Sequence, residues 1–197
     1  MVVSGMDNVD LAPQAAEVAR VVAGVRDDQL GDPTPCTGTT VAAMLDHLVG
    51  LTIAFREAAE KVPQSGGPRA DAAHLPDDWR TRLPMQLDGL VAAWRRPSAW
   101  EGPTVIAGMT MPAPAAGTTG LNEILVHGWD LAVATGQEYR PDPEAVRVCF
   151  DFGLDFAAGA PEARDQIYGP VVPVPEDAPL FDRLLGQTGR DPRWSSA

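Results

Sequence analysis

The stretch Leu121-Asn122-Glu123-Ile124-Leu125-Val126-His127-Gly128-Trp129-Asp130 decides how this chain is read. It reads as the middle of a helix, with Gly136 as a left-handed stop just beyond its end. On a helix, Glu123 and His127 lie about 40° apart around the axis and roughly 6 Å apart along it, so both can reach one metal ion. Spacing alone is weak evidence, because with 27 acidic residues in 197 a carboxylate often falls four places before a histidine by chance. The helical wheel adds to it. Glu123, His127 and Asp130 share a strip about 60° wide, bordered by Leu121, Ile124, Leu125 and Leu131 on one side and by Val126, Trp129 and Val133 on the other. A solvent face is usually wider. Two readings stay open: polar groups turned toward a shared interior, or an exposed strip on a packed helix.

Upstream, residues 1–9 read as a loose arm, and apolar residues at helical spacing give a first helix from Leu11 to Val25. A turn-rich connection, Arg26 to Gly38, leads to Thr39 and Thr40, natural N-caps for a second helix from about Val41 to Lys61. His47 falls at the edge of that helix's apolar arc, beside Met44 and Leu51. By itself it reads as a half-buried histidine with one hydrogen bond or as a ligand. The Pro/Gly/Ser-rich stretch 62–76 is a surface loop carrying His74, and a third helix follows from about Asp77, with Pro84 marking its start or bending it. Residues 98–116 suggest an extended, hairpin-like link into the fourth helix. Downstream come a helix from Pro143 to Ala158 capped by Asp142, a proline-rich stretch, and a short helix from Pro179 to Leu185. The expected fold is all-α: a four-helix bundle with an extended link before the fourth helix and a short C-terminal helix, forming one domain over residues 1–197. In such a bundle His47 and the Glu123/His127 pair can meet at one end of the core.

A net charge of -12 and a pI near 4.5 repel phosphate backbones and anionic lipid, and no basic cluster offsets them. Neither a nucleic-acid nor a membrane partner is expected. The N-terminus shows no secretory h-region, so a cytoplasmic location is the default. The only two cysteines lie far apart: Cys149, in an apolar run, reads as a small buried hydrophobe, and Cys36 is a candidate for a pocket wall without assignment as a nucleophile.

Four segments in order resemble one family: Pro33-Thr34-Pro35-Cys36-Thr37-Gly38 leading to Leu45-Asp46-His47-Leu48; Glu123 with His127-Gly128-Trp129-Asp130; Ala134-Thr135-Gly136-Gln137; and Gly189-Arg190-Asp191-Pro192-Arg193-Trp194. The pattern resembles the mycothiol-dependent maleylpyruvate isomerase-like branch of the DinB/YfiT superfamily, over essentially the whole chain. The resemblance implies a DinB-like four-helix bundle with a divalent metal held by His47, Glu123 and His127. It also implies mycothiol as the thiol cofactor. Two imidazoles and a carboxylate suit zinc best, with nickel, iron and manganese as further fits. Asp130, three residues after His127, is a candidate to fix that imidazole's tautomer from behind the metal, or else a plain solvated carboxylate. Two departures stand out: Thr39 occupies the place where relatives commonly have Trp, and the isomerase's C-terminal domain, which contributes an Arg, has no counterpart in these 197 residues.

The function expected is a metal-dependent mycothiol transferase or isomerase acting on a small electrophile, with no catalytic residue assigned. The alternative is a non-catalytic bundle that binds a metal or small ligand. Both a monomer and a homodimer fit the sequence.

Overall fold

Thr40 is extended and its hydroxyl accepts a hydrogen bond from the Ala43 N–H at 3.3 Å, which starts helix α2 (Val41–Ala59) at the predicted threonine. The computed structural model describes residues 8–64, 67, 70–159 and 168–196. The predicted N-terminal arm lies outside them up to Asp7, and Val9 is already buried in the core. Besides α2, the described residues form α1 (Ala12–Gly24), α3 (Trp79–Trp94), the antiparallel hairpin β1 (Pro103–Ile106) and β2 (Met109–Pro112), α4 (Ala113–Ala134), α5 (Pro143–Gly159) and α6 (Leu180–Gln187). The fold is thus mostly helical with one small sheet. The expected extended link proves to be this paired hairpin, and the fourth helix begins directly at its end.

α2 packs on α3 and α4, α1 packs on the same two helices, and α5 covers α4 and carries α6. α4 is therefore enclosed from several directions and is buried on most of its surface. A helix in that position keeps a polar side chain only where the side chain has a partner or a cavity to face. Pro84 lies inside α3 rather than marking its start. Asp142 caps α5 as predicted, accepting from the Ala145 N–H at 2.9 Å, and Gly136 takes φ 68° beyond α4. Among the described residues no helix is long and apolar enough to cross a membrane.

The hairpin end of the molecule is held by tryptophans. Trp94 Nε1 donates to the Phe55 carbonyl at 3.0 Å, Trp100 Nε1 donates to the Trp94 carbonyl at 2.6 Å, and the two rings meet edge-on with centroids 4.8 Å apart. α4 reaches this pair because residue 117 has no side chain: a Cβ there would sit 2.6 Å from Trp100 and 2.9 Å from Trp94. Gly117→Ala is expected to destabilise the fold by about 1–3 kcal/mol through overpacking, despite the better helix propensity of alanine. Urea unfolding checks this, and a gain in stability would show that the indoles have room to move.

Candidate metal centre

The narrow polar strip of α4 faces inward. The side chains of Glu123 and His127 are 18% and 11% exposed, and Asp130 is fully buried, so the reading as a solvated strip does not hold. Opposite them, α2 presents His47 two turns beyond its Thr40 cap, half-buried as expected. His127 Nε2 lies 3.2 Å and His47 Nε2 3.5 Å from the same Glu123 Oε2. The two imidazoles stand nearly perpendicular, with centroids 5.0 Å apart. One donor atom from each of the three residues falls within 4.8 Å of the others, so a single ion can reach all of them.

The donor set calls for a positive charge at its centre. His127 Nδ1 is 2.9 Å from Asp130 Oδ2, an arrangement in which Nδ1 carries a proton and donates it. The Nε2 lone pair of a neutral ring then faces the Glu123 carboxylate at close range, so a proton or a cation has to lie between them. Among the described residues His47 Nδ1 is buried with no hydrogen-bond partner, and Nε2 is the ring atom that faces the cluster. In the metal-free chain burial opposes ionisation of Glu123, but hydrogen bonds with His127 and then His47 outweigh it and hold the carboxyl far below the usual range. Burial likewise pushes His127 down, and its bonds to Asp130 and Glu123 outweigh this and raise it to about 9. These residues fit a divalent metal, which would take the place of the bridging proton.

The trio lies in the wall of a cavity of about 580 Å³. The loop before α2 adds Pro35, Cys36, Thr37 and Thr39, α4 adds Asn122 and Val126, and the chain beyond α5 adds Tyr168, Gly169 and Pro170. The loop is shaped by its own hydrogen bonds: the Thr34 N–H donates to the Thr39 carbonyl at 3.0 Å, and Thr39 N–H to Cys36 at 3.0 Å. Cys36 thus borders the cavity, while Cys149 is buried elsewhere and its thiol is pushed up by desolvation. Trp129 is buried and absent from the cavity wall, which assigns it to packing; His74 is exposed in its loop. The sequence reading missed Arg190, which borders the cavity and pairs with Asp130 at 3.0 Å.

The sequence pattern of the mycothiol maleylpyruvate isomerase N-terminal domain matches residues 11–132. An uncharacterized protein of Mycobacterium tuberculosis is 33% identical over 194 residues, covering 89% of this chain and 92% of the relative. Another uncharacterized protein of that organism is 29% identical over 206 residues, covering 94% and 75%. Among solved structures, a mycothiol-dependent maleylpyruvate isomerase superimposes with TM-score 0.55 at 17% identity, over 73% of this chain, and the match spans 64% of the isomerase. A mutant form of that isomerase gives the same TM-score, with 82% and 70% covered.

Proposed function

We propose, from the premise that this chain belongs to the mycothiol maleylpyruvate isomerase N-terminal domain family, that it is a metal-dependent enzyme joining mycothiol to a small electrophile, or isomerising that electrophile through the thiol. The observation that carries this reading is the convergence of His47, Glu123 and His127 on one point of the cavity wall. On this reading α1 to α4 form a DinB-like four-helix bundle, and residues 1–197 are one such domain. A cytoplasmic location agrees with Cys36 and Cys149 both being free thiols.

A divalent ion held by His47, Glu123 and His127 would supply the Lewis acidity that favours the thiolate form of a thiol bound beside it. The chain's own groups prepare for this. Asp130 keeps the proton on His127 Nδ1, so that Nε2 presents its lone pair toward Glu123 and His47. With Glu123 and Asp130 negative, Arg190 positive and a divalent cation present, the centre carries one net positive charge, which a thiolate cancels. The cavity falls within the range of about 300–1,000 Å³ usual for small-ligand sites, and its wall mixes Thr37, Thr39 and Asn122 with Met44 and Val126. Such a wall suits a hydroxyl-bearing thiol beside a small electrophile. For an activated alkene, sulfur adds to one carbon and a proton to its neighbour, giving the conjugate. If the bond rotates before the thiol leaves again, the product is the isomer.

The test uses untagged protein. One zinc per chain is expected, with mycothiol-dependent conversion of an α,β-unsaturated acid to its thiol conjugate or to its isomer, both abolished by a chelator and restored by zinc. Zinc binding with ligand-induced stabilisation but no turnover would favour the non-catalytic binding protein instead. Protein that takes up no divalent ion and is equally stable with a chelator would overturn the metal reading.

A further inference from the structure

α6 ends in a tight turn whose geometry places one side chain beneath the candidate metal centre. Thr188 caps the helix, the Gly189 N–H donates to the Gly186 carbonyl at 3.2 Å, and the Arg190 N–H donates to the Leu185 carbonyl at 2.9 Å, the bond pair of a Schellman turn. Gly189 has φ 78°, and a Cβ there would lie 2.4 Å from the Tyr168 carbonyl oxygen, so the turn requires glycine. The turn sends Arg190 back into the protein, where its side chain is only 10% exposed. Its Nη2 donates to Asp130 Oδ2 at 3.0 Å, its Nη1 donates to the Thr188 carbonyl at 2.6 Å, and its Nε lies 3.4 Å from Asp130 Oδ1. The same Oδ2 accepts from His127 Nδ1.

Asp130 is fully buried, and the Arg190 guanidinium reaches both of its carboxylate oxygens. Its planar fork fixes the carboxylate plane, and with it the place of the Oδ2 that faces His127 Nδ1. Arg190 lies beyond residues 11–132, the span matched by the N-terminal domain pattern, in the tail segment Gly189–Trp194.

We propose that Arg190 is a positioning residue for the metal centre: it fixes Asp130, and through Asp130 it holds the His127 ring with Nε2 directed at the ion. The inference rests on the metal reading above, and zinc binding by the wild-type chain separates the two. Zinc affinity is measured on the intact chain by competition with a chromophoric chelator, together with the proton NMR signal of His127 Nδ1–H in the zinc-loaded protein. Wild type should bind one zinc and show a slowly exchanging Nδ1–H. Arg190→Gln should weaken zinc roughly 10- to 100-fold, the usual cost of losing a partner behind a ligand, and its Nδ1–H signal should exchange away. Arg190→Lys, which keeps the charge without the fork, should lose about 3- to 10-fold. In an Asp130→Asn background, Arg190→Gln should change zinc affinity by less than about 3-fold, because the intermediary is already gone.

Wild type without zinc uptake overturns the metal reading and this inference with it. Wild type that binds zinc, alongside an Arg190→Gln protein with equal affinity and an intact Nδ1–H signal, overturns the positioning role alone, even if the melting temperature falls. Should Arg190→Gln not fold, unchanged affinity in Arg190→Lys overturns that role in its place.

Discussion

Glu123→Ala is expected to lower zinc affinity by roughly 100- to 1,000-fold while the far-ultraviolet circular dichroism stays that of the wild type. Four-ligand structural zinc sites in small peptides bind with about 10–16 kcal/mol, so one ligand accounts for about 2.5–4 kcal/mol, and each 1.4 kcal/mol is a factor of ten. Glu123 is the member of the trio that both imidazoles approach, through the one oxygen Oε2, and it brings the only carboxylate among the three donors. His47→Ala should cost a similar factor and leave the pair on α4 in place. His127→Ala should cost as much in affinity and more in stability, since the fully buried Asp130 would lose one hydrogen bond and keep those from Arg190. Helical content should survive all three, because none of these side chains belongs to the hydrophobic core around α4. Chelator competition and thermal melts on the three variants check the set. Full zinc retention in Glu123→Ala would remove Glu123 from the ligand set and sink the proposed centre.

The polar residues of α4 were legible in the sequence for a physical reason. A helix enclosed by α1, α2 and α5 is apolar almost throughout, so Glu123, His127 and Asp130 stand out against their neighbours, and the 3.6-residue period puts them on one strip. His47 was legible as a candidate at the edge of an apolar arc, but the 3.5 Å approach to Glu123 depends on how α2 lies against α4, which no local pattern encodes. Asp130 could be read two ways because spacing says nothing about burial; its complete enclosure rules out the solvated carboxylate.

Arg190 stood out as part of a family-like tail segment, but its place beside the site was not legible. It lies 60 residues from its partner Asp130, and no local pattern says that the turn at Gly189 sends it inward. The start of α4 was hidden for a different reason. Ala113-Pro114-Ala115-Ala116-Gly117 offers small residues and a proline, which reads as a loop, yet proline is tolerated in a first helical turn and Gly117 is there for the tryptophans. The hairpin could be anticipated as extended chain, whereas its register, Thr104 opposite Met111 and Val105 opposite Thr110, follows from pairing that no local pattern of these residues specifies.

Zinc binding should strengthen steeply as pH rises, and the metal-free and zinc-loaded proteins should respond to pH in opposite senses. In the empty site His127 rises from 6.5 to about 9, so the stability its proton contributes is fully present below pH 6.5 and is lost as pH climbs toward 9. Glu123 is shifted the other way, and its contribution is present above its ordinary 4.5 and fades as pH falls below that. The pair therefore supports the metal-free fold best between pH 4.5 and 6.5. Zinc has to displace the proton from His127, so with that group near 9 the affinity should be about 100-fold greater at pH 8 than at pH 6. At fixed excess zinc, the stabilisation from binding should then grow by about 1.4 kcal/mol per pH unit over that interval. Calorimetric melts at pH 6 and pH 8, each with zinc and with a chelator, read both trends at once: the melt with chelator should move down between the two pH values and the gap opened by zinc should widen. A zinc-induced shift of equal size at both would mean that no proton leaves on binding, and His127 could then not be a ligand.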